Sequence, residues 1–219
     1  MFETIKEIKK LQKRPDGIFG SFMTRPVSHI FAFISYKLSW TPNFVSFLSI
    51  VFCFIGVVIL YLYPSDYPLV LTAAAMWWIG GIFDAADGDL ARFSGKGSQF
   101  GGWFDSFLDR IKEFMIFALL GYLMYKQYNN EIYLLAGFLS VFTNIMSGYI
   151  SDTKKLFITE RTPEIKFSSK YSFGMVDTRD FFVVLSLVLN EFRIALAVYS
   201  TVFMLALMIQ LYRFIKKYS

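Results

Sequence analysis

The uncharged runs along the chain set out its architecture. A helix needs roughly 20 apolar residues to cross a bilayer. Residues 38–65, 132–151 and 194–212 carry no charge over about that length and are read as spans one, four and six. Runs 67–83, 114–125 and 181–190 are too short by themselves. To cross, span two must continue through Asp84 and Asp87, span three must begin near Gly101, and span five near Tyr171. The pattern therefore predicts an all-α integral membrane protein with six transmembrane helices and an acidic stretch partly at membrane depth. Ahead of span one, Phe2, Ile5, Ile8 and Leu11 recur at helical spacing against Lys6, Lys9, Lys10 and Lys13. That is the pattern of an interfacial amphipathic helix lying on anionic headgroups. A second such segment is expected over 22–37, interrupted near Pro26. The organisation is thus a cytoplasmic, interfacial helical segment at 1–37 and a six-span domain at 38–219, with no internal repeat.

Composition agrees with the pattern. Of 219 residues, 55% are hydrophobic and only 18% charged, and the mean hydropathy is +0.47, too apolar for an ordinary soluble domain. The first fourteen residues are charged and lack an apolar core, so no cleavable signal peptide is expected. Cys53 has no partner in the chain, which excludes an intramolecular disulfide. The net charge of +5 is explained by its distribution. With six spans and the amino terminus inside, every Lys and Arg except Lys126 and Arg193 falls on the cytoplasmic side. Both termini and the junction of spans two and three are then cytoplasmic. The basic balance indicates a membrane partner and no nucleic acid.

The stretch FDAADGDLARFSGKGSQFGGWFDSFLDR, residues 83–110, concentrates five aspartates in an otherwise apolar chain. Asp84 and Asp87 are three apart, and Asp105 and Asp109 four apart, so on helices each pair shares a face. The short turn over 94–99, with Gly95 and Gly97, brings the two acidic helix ends together. Like charges that close, partly removed from water, repel one another. Bound cations resolve the conflict, and oxygen-only ligands without His or Cys point to a hard ion such as Mg2+, Mn2+ or Ca2+. The alternative is carboxylates paired with Arg92, Arg110 and Lys112 to steady a helix end. Asp89 is read as a solvated helix-end charge, Glu113 as a partner of Arg110 or a support for Asp109, and His29 as an interfacial packing residue. Gly88, Ala91, Gly101 and Gly102 are small enough for a ligand or a second helix to approach the backbone. Arg92 is placed to hold a phosphate beside the carboxylates. Together these features suggest a diphosphate ligand.

Asp84-x-x-Asp87-Gly88-x-x-Ala91-Arg92, eight residues, then Gly101-x-x-x-Asp105-x-x-x-Asp109 resembles the complete signature of the CDP-alcohol phosphotransferases. Six spans and a basic amino-terminal helix are similar to that family's plan. The resemblance implies two divalent cations, Mg2+ or Mn2+, held by Asp84, Asp87, Asp105 and Asp109, with Asp109 the general base on the acceptor hydroxyl. It implies a nucleotide site at Asn43, Asp87, Gly88, Ala91, Arg92 and Gly101, release of CMP, and a homodimer. Where the family often has a Thr after Pro-Asn at the start of span one, this chain has Ser46.

For the acceptor, Lys154, Lys155, Arg161, Lys166, Lys170 and Arg179 form a basic cluster between spans four and five and at the head of span five. A buried arginine suits a phosphorylated acceptor such as inositol phosphate, and Arg110, Lys155, Arg161 and Arg179 are its candidate ligands. Arg179 has the alternative of an ion pair with Asp177 or Asp180. The stretches RPDGIFGSFMTRPVSHI and TRDFF resemble the inositol-phosphate-using branch, including di-myo-inositol phosphate phosphate synthases, which implies a CDP-inositol or CDP-diacylglycerol-like donor. A divalent-cation channel or carrier is the alternative from another class, since acids inside membranes also mark ion paths. It accounts for the carboxylates but not for Gly88, Ala91, Arg92 and Gly101 at their spacing.

Overall fold

The amino-terminal amphipathic pattern forms a helix, α1 (Phe2–Lys10), whose last turn carries Lys9 and Lys10 where cations complement the carbonyl end. Its apolar residues do not all face one way. Ile8 is buried in a cluster with Ala32, Val45, Phe83, Ala86 and Leu90, whereas Phe2 points outward. The helix is therefore docked on the protein as well as amphipathic. In this computed structural model the described residues are 2–12, 16–17, 20–157, 165–166, 171–173 and 175–218.

After a two-residue strand, β1 (Asp16–Gly17), a π-helical turn (Gly20–Thr24) leads into α2 (Arg25–Lys37), with Pro26 in its first turn, where a missing N–H costs nothing. Then come α3 (Pro42–Leu62), α4 (Tyr67–Ser94), α5 (Gln99–Tyr128) and α6 (Ile132–Phe157). Two short strands follow, β2 (Ile165–Lys166) and β3 (Tyr171–Phe173), and then α7 (Met175–Val188). The chain closes with α8 (Arg193–Ala197), a π-helical turn (Val198–Val202) and α9 (Phe203–Tyr218).

The predicted all-α class holds, and one boundary is corrected. The fold is helical apart from a small sheet of order β1-β3-β2, in which β1 runs parallel and β2 antiparallel to β3. Strands of two or three residues are too short to leave an alternating pattern. Tyr171, expected to begin span five, lies in that sheet, and α7 starts at Met175.

Among the described residues, helices at Pro42–Leu62, Tyr67–Ser94 and Ile132–Ile150 are long and apolar enough to cross a membrane, and Arg193–Ile209 is a shorter apolar one. Helix α3 packs most extensively on α4, and α5 on α6. The second contact brings backbones together: a Cβ on Gly121 would lie 2.9 Å from Gly137 Cα. The main core joins α3, α4, α5, α7 and the last helices around Trp77, Phe117, Leu120, Leu187 and Tyr199.

Candidate active site

Local sequence places the acidic helix ends. Helix α4 stops at Gly95, whose φ of 67° is the left-handed conformation glycine adopts without strain. Three residues later Ser98 caps α5, its hydroxyl accepting the Gly101 N–H at 2.9 Å. Thr41 caps α3 in the same way, accepting from Phe44 N–H at 3.2 Å. Helix α3 packs on both α4 and α5, and the two acidic helices meet through the side chains of Asp84 and Lys112.

Those side chains form one connected electrostatic centre. Lys112, 2% exposed, pairs with Asp84 and with Asp109, the latter at 2.8 Å, and donates to Ser49 Oγ at 3.3 Å. Asp87, also buried, accepts from the Ser46 hydroxyl. The serine standing in the family's Thr-like position thus holds an aspartate of the signature. Asp105 has no hydrogen bond or salt bridge among the described residues, although Asp84 and Asp109 are its charged neighbours. From α7, Arg179 reaches Asp109 at 3.5 Å, Glu113 at 2.9 Å and Asp180 at 3.1 Å. Glu113, 1% exposed, also receives Arg110 at 3.0 Å.

The remaining predicted residues divide into three groups. Asn43, Gly88, Ala91, Arg92 and Gly101 lie in the last turns of α4, in the first turn of α5 and at the start of α3. Here a Cβ on Gly101 would come within 2.9 Å of Asn43 Oδ1, so a side chain at this position would displace the Asn43 amide. Arg110 is turned toward α6, donating to Asn144 O at 2.9 Å, and its guanidinium fills the space a side chain at Gly148 would need. Lys155 lies near the end of α6, and Arg161 falls outside the described residues.

Sequence reasoning overlooked or misplaced several groups. Lys112 appears there only in the pairing alternative, yet it sits between the two acidic helices; its spacing of three from Asp109 was the available signal. Trp77, whose indole donates to Asp180 Oδ1 at 3.2 Å, left no signal in the sequence. Asp89 is corrected outright. It is 1% exposed, and Arg25, Ser28, His29 and Arg92 surround its carboxylate. His29 is accordingly part of that cluster as well as a packing residue.

Whether a metal fits can be judged from the donor chemistry. Among the described residues no group of three acidic side chains is assembled to hold an ion, because Lys112 draws Asp84 and Asp109 to itself. Charge is nevertheless unbalanced. Among the described residues, the cations beside Asp84, Asp87, Asp105, Asp109, Glu113 and Asp180 are Lys112, Arg110 and Arg179. An all-oxygen set with excess negative charge fits a hard divalent cation.

Comparison with known proteins extends the picture. The family model for CDP-alcohol phosphatidyltransferase matches residues 39–212. A "Bifunctional IPC transferase and DIPP synthase" of Aquifex aeolicus is 23% identical over 203 residues, covering 92% of this chain and 45% of that protein. One of the same name from Thermococcus kodakarensis is 29% identical over 147 residues, covering 59% and 33%. The chain thus spans less than half the length of these relatives. A crystal structure of Mycobacterium tuberculosis phosphatidylinositol phosphate synthase with CDP-DAG bound superposes with a TM-score of 0.63 at 19% identity, over 84% of this chain and 92% of that one. The matched region holds every position of the aspartate signature and most of the helical fold, and on that match the chain belongs to the CDP-alcohol phosphatidyltransferase family.

Proposed function

We propose that this enzyme transfers a substituted phosphate from a CDP-alcohol to the hydroxyl of a phosphorylated polyol such as inositol phosphate, releasing CMP. The supporting observation is the complete signature on α4 and α5, with Asp84 and Asp109 meeting at one buried cation, Lys112. The donor is a CDP-diacylglycerol-like lipid or CDP-inositol. Support for an inositol-phosphate acceptor comes from the names of the curated relatives and of the solved structure.

In this reading Asn43, Asp87, Gly88, Ala91, Arg92 and Gly101 bind the cytidine diphosphate part. Asp84, Asp87, Asp105 and Asp109 would hold two divalent cations, Mg2+ or Mn2+, which would neutralise charge on the diphosphate and on the leaving CMP. Asp109 takes the proton of the acceptor hydroxyl. Its oxygen then attacks the phosphorus that carries the donor alcohol; the new P–O bond forms as the bond to the CMP oxygen breaks. Lys112 orients Asp109, and Arg179 faces the same carboxylate from α7, where it can receive an anionic acceptor. Arg110, Lys155 and Arg161 are assigned to the acceptor side with it.

Six crossings, cytoplasmic termini, a cytoplasmic active site and a homodimer belong to the same proposal. At about 1.5 Å per residue, Asp84 lies about 26 Å along α4 from Tyr67, close to the far edge of a hydrocarbon core about 30 Å thick.

Purified protein is tested for CMP release with Mg2+ or Mn2+, crossing CDP-diacylglycerol and CDP-inositol with inositol phosphate, glycerol phosphate, serine and inositol. Release from one pair, lost on chelation and abolished in Asp109→Asn while cytidine nucleotide still binds, is the expected result. A divalent-cation carrier releases no CMP under any combination. Near-normal turnover in Asp109→Asn removes that residue as the base.

A further inference from the structure

The signature leaves the position after Gly88 undefined, and this chain fills it with Asp89. A carboxylate 1% exposed to solvent must have its hydrogen bonds supplied by protein. Two elements supply them. On one side, Asp89 Oδ1 receives Arg92 Nη2 at 2.6 Å, from the next turn of α4. On the other, Oδ2 receives Arg25 Nη1 at 3.1 Å and Ser28 Oγ at 3.3 Å, with His29 Nε2 at 3.7 Å, all from α2. Arg25 also donates to Ala85 O at 3.1 Å, which pins the start of α2 to the same stretch of α4.

The consequence for Arg92 is geometric. Its guanidinium lies beside Gly88, where a Cβ would stand 3.3 Å from Nη1, and about a third of its side chain is exposed. Among the described residues its side-chain hydrogen bond goes to Asp89 through Nη2, and the other N–H groups of the fork are left for further partners. A free arginine samples many rotamers and gives up side-chain entropy when held. A buried carboxylate that already fixes one edge removes much of that cost before a ligand arrives.

We propose that Asp89 is a positioning residue for donor binding. It holds the Arg92 guanidinium over Gly88 in the orientation that receives the diphosphate of a CDP-alcohol, and it couples that orientation to the docking of α2. The proposal rests on the reading that Arg92 contacts the donor diphosphate. A purely structural clamp between α2 and α4 makes a different prediction, because its removal would not act through Arg92.

A double-mutant cycle separates the two. Asp89→Asn keeps the shape of the side chain and loses its charge. In the full-length protein, we expect it to raise the donor KM about tenfold, the loss of one charge-assisted hydrogen bond, with kcat within about twofold. CDP binding, followed by calorimetry, should weaken by the same factor. Introduced into Arg92→Gln, the same change should add nothing to either readout. Equal losses on both backgrounds, or losses tracking the amount of folded protein, overturn the positioning role. An Arg92→Gln variant with unchanged donor KM and CDP affinity instead overturns the reading of Arg92 on which the proposal rests. Should Asp89→Asn not fold, Arg25→Gln leaves the Asp89–Arg92 pair intact. It is expected to raise the donor KM about threefold, an effect absent when Arg92 is Gln, and no change in it overturns the coupling to α2.

Discussion

At the scale of single residues, the centre is governed by where its few buried cations stand. Lys112 is the clearest case, since one ammonium pairs with Asp84 and Asp109 and donates to Ser49. Removing one partner from a buried ion pair strands the other, at a cost of about 3–5 kcal/mol. Lys112→Met should therefore lower the thermal unfolding midpoint of metal-free protein by several degrees. Added Mg2+ should recover more stability in the variant than in the parent, because the carboxylates then lack their own cation. An unchanged metal-free midpoint would show that the pairing carries no structural weight. The aspartates themselves were legible from spacing, but their counter-charges were not. Arg179 and Arg25 come from helices distant in sequence, and nothing in a linear pattern tells which way a basic side chain on a third helix turns.

Among elements, close helix contacts decide how the site is held. Helices α5 and α6 meet at Gly121 and Gly137, where added atoms would run into backbone: Gly137 Cα at 2.9 Å and Tyr133 O at 3.0 Å. Backbone cannot swing aside as a flexible side chain can, so Gly121→Leu should force the helices apart at about 1–3 kcal/mol. Gly102, with nothing within 4 Å of an added Cβ, is the control, and its Ala variant should unfold at the parent temperature. Unfolding scans of the two proteins in detergent check this, and equal midpoints would refute the close-packing account. Capping explains why the turn between α4 and α5 could be anticipated: Gly95 and Ser98 act through local geometry. The β1-β3-β2 patch could not, because its strands are only two or three residues long and β1 pairs with a segment far along the chain, Asp16 with Tyr171.

For the whole molecule, the distribution of basic residues gives a test of how the chain threads the bilayer. Lys96, in the turn before α5, and Lys126, in its last turn, flank a helix of 30 residues, about 45 Å long. Single cysteines at these two sites, in a Cys53→Ala background, should react with a membrane-impermeant maleimide from opposite faces of sealed vesicles, Lys96→Cys from the cytoplasmic one. Labelling of both from the same face would mean that α5 does not cross, and the six-span arrangement would fall with it.

Hydropathy and spacing alone determined the membrane class, the order of the long helices and the acidic signature, because each depends on residues near one another in sequence. The signature also led to the family without any knowledge of packing. Tertiary structure decided which charges share the centre. It placed Lys112 between the two acidic helices, brought Arg179 onto Asp109, and buried Asp89 under α2, where sequence had left it in solvent. The physical reason is the range of the forces involved. Helix periodicity and capping act within a few residues, whereas the partner of a buried charge is chosen by whichever helices the fold packs beside it.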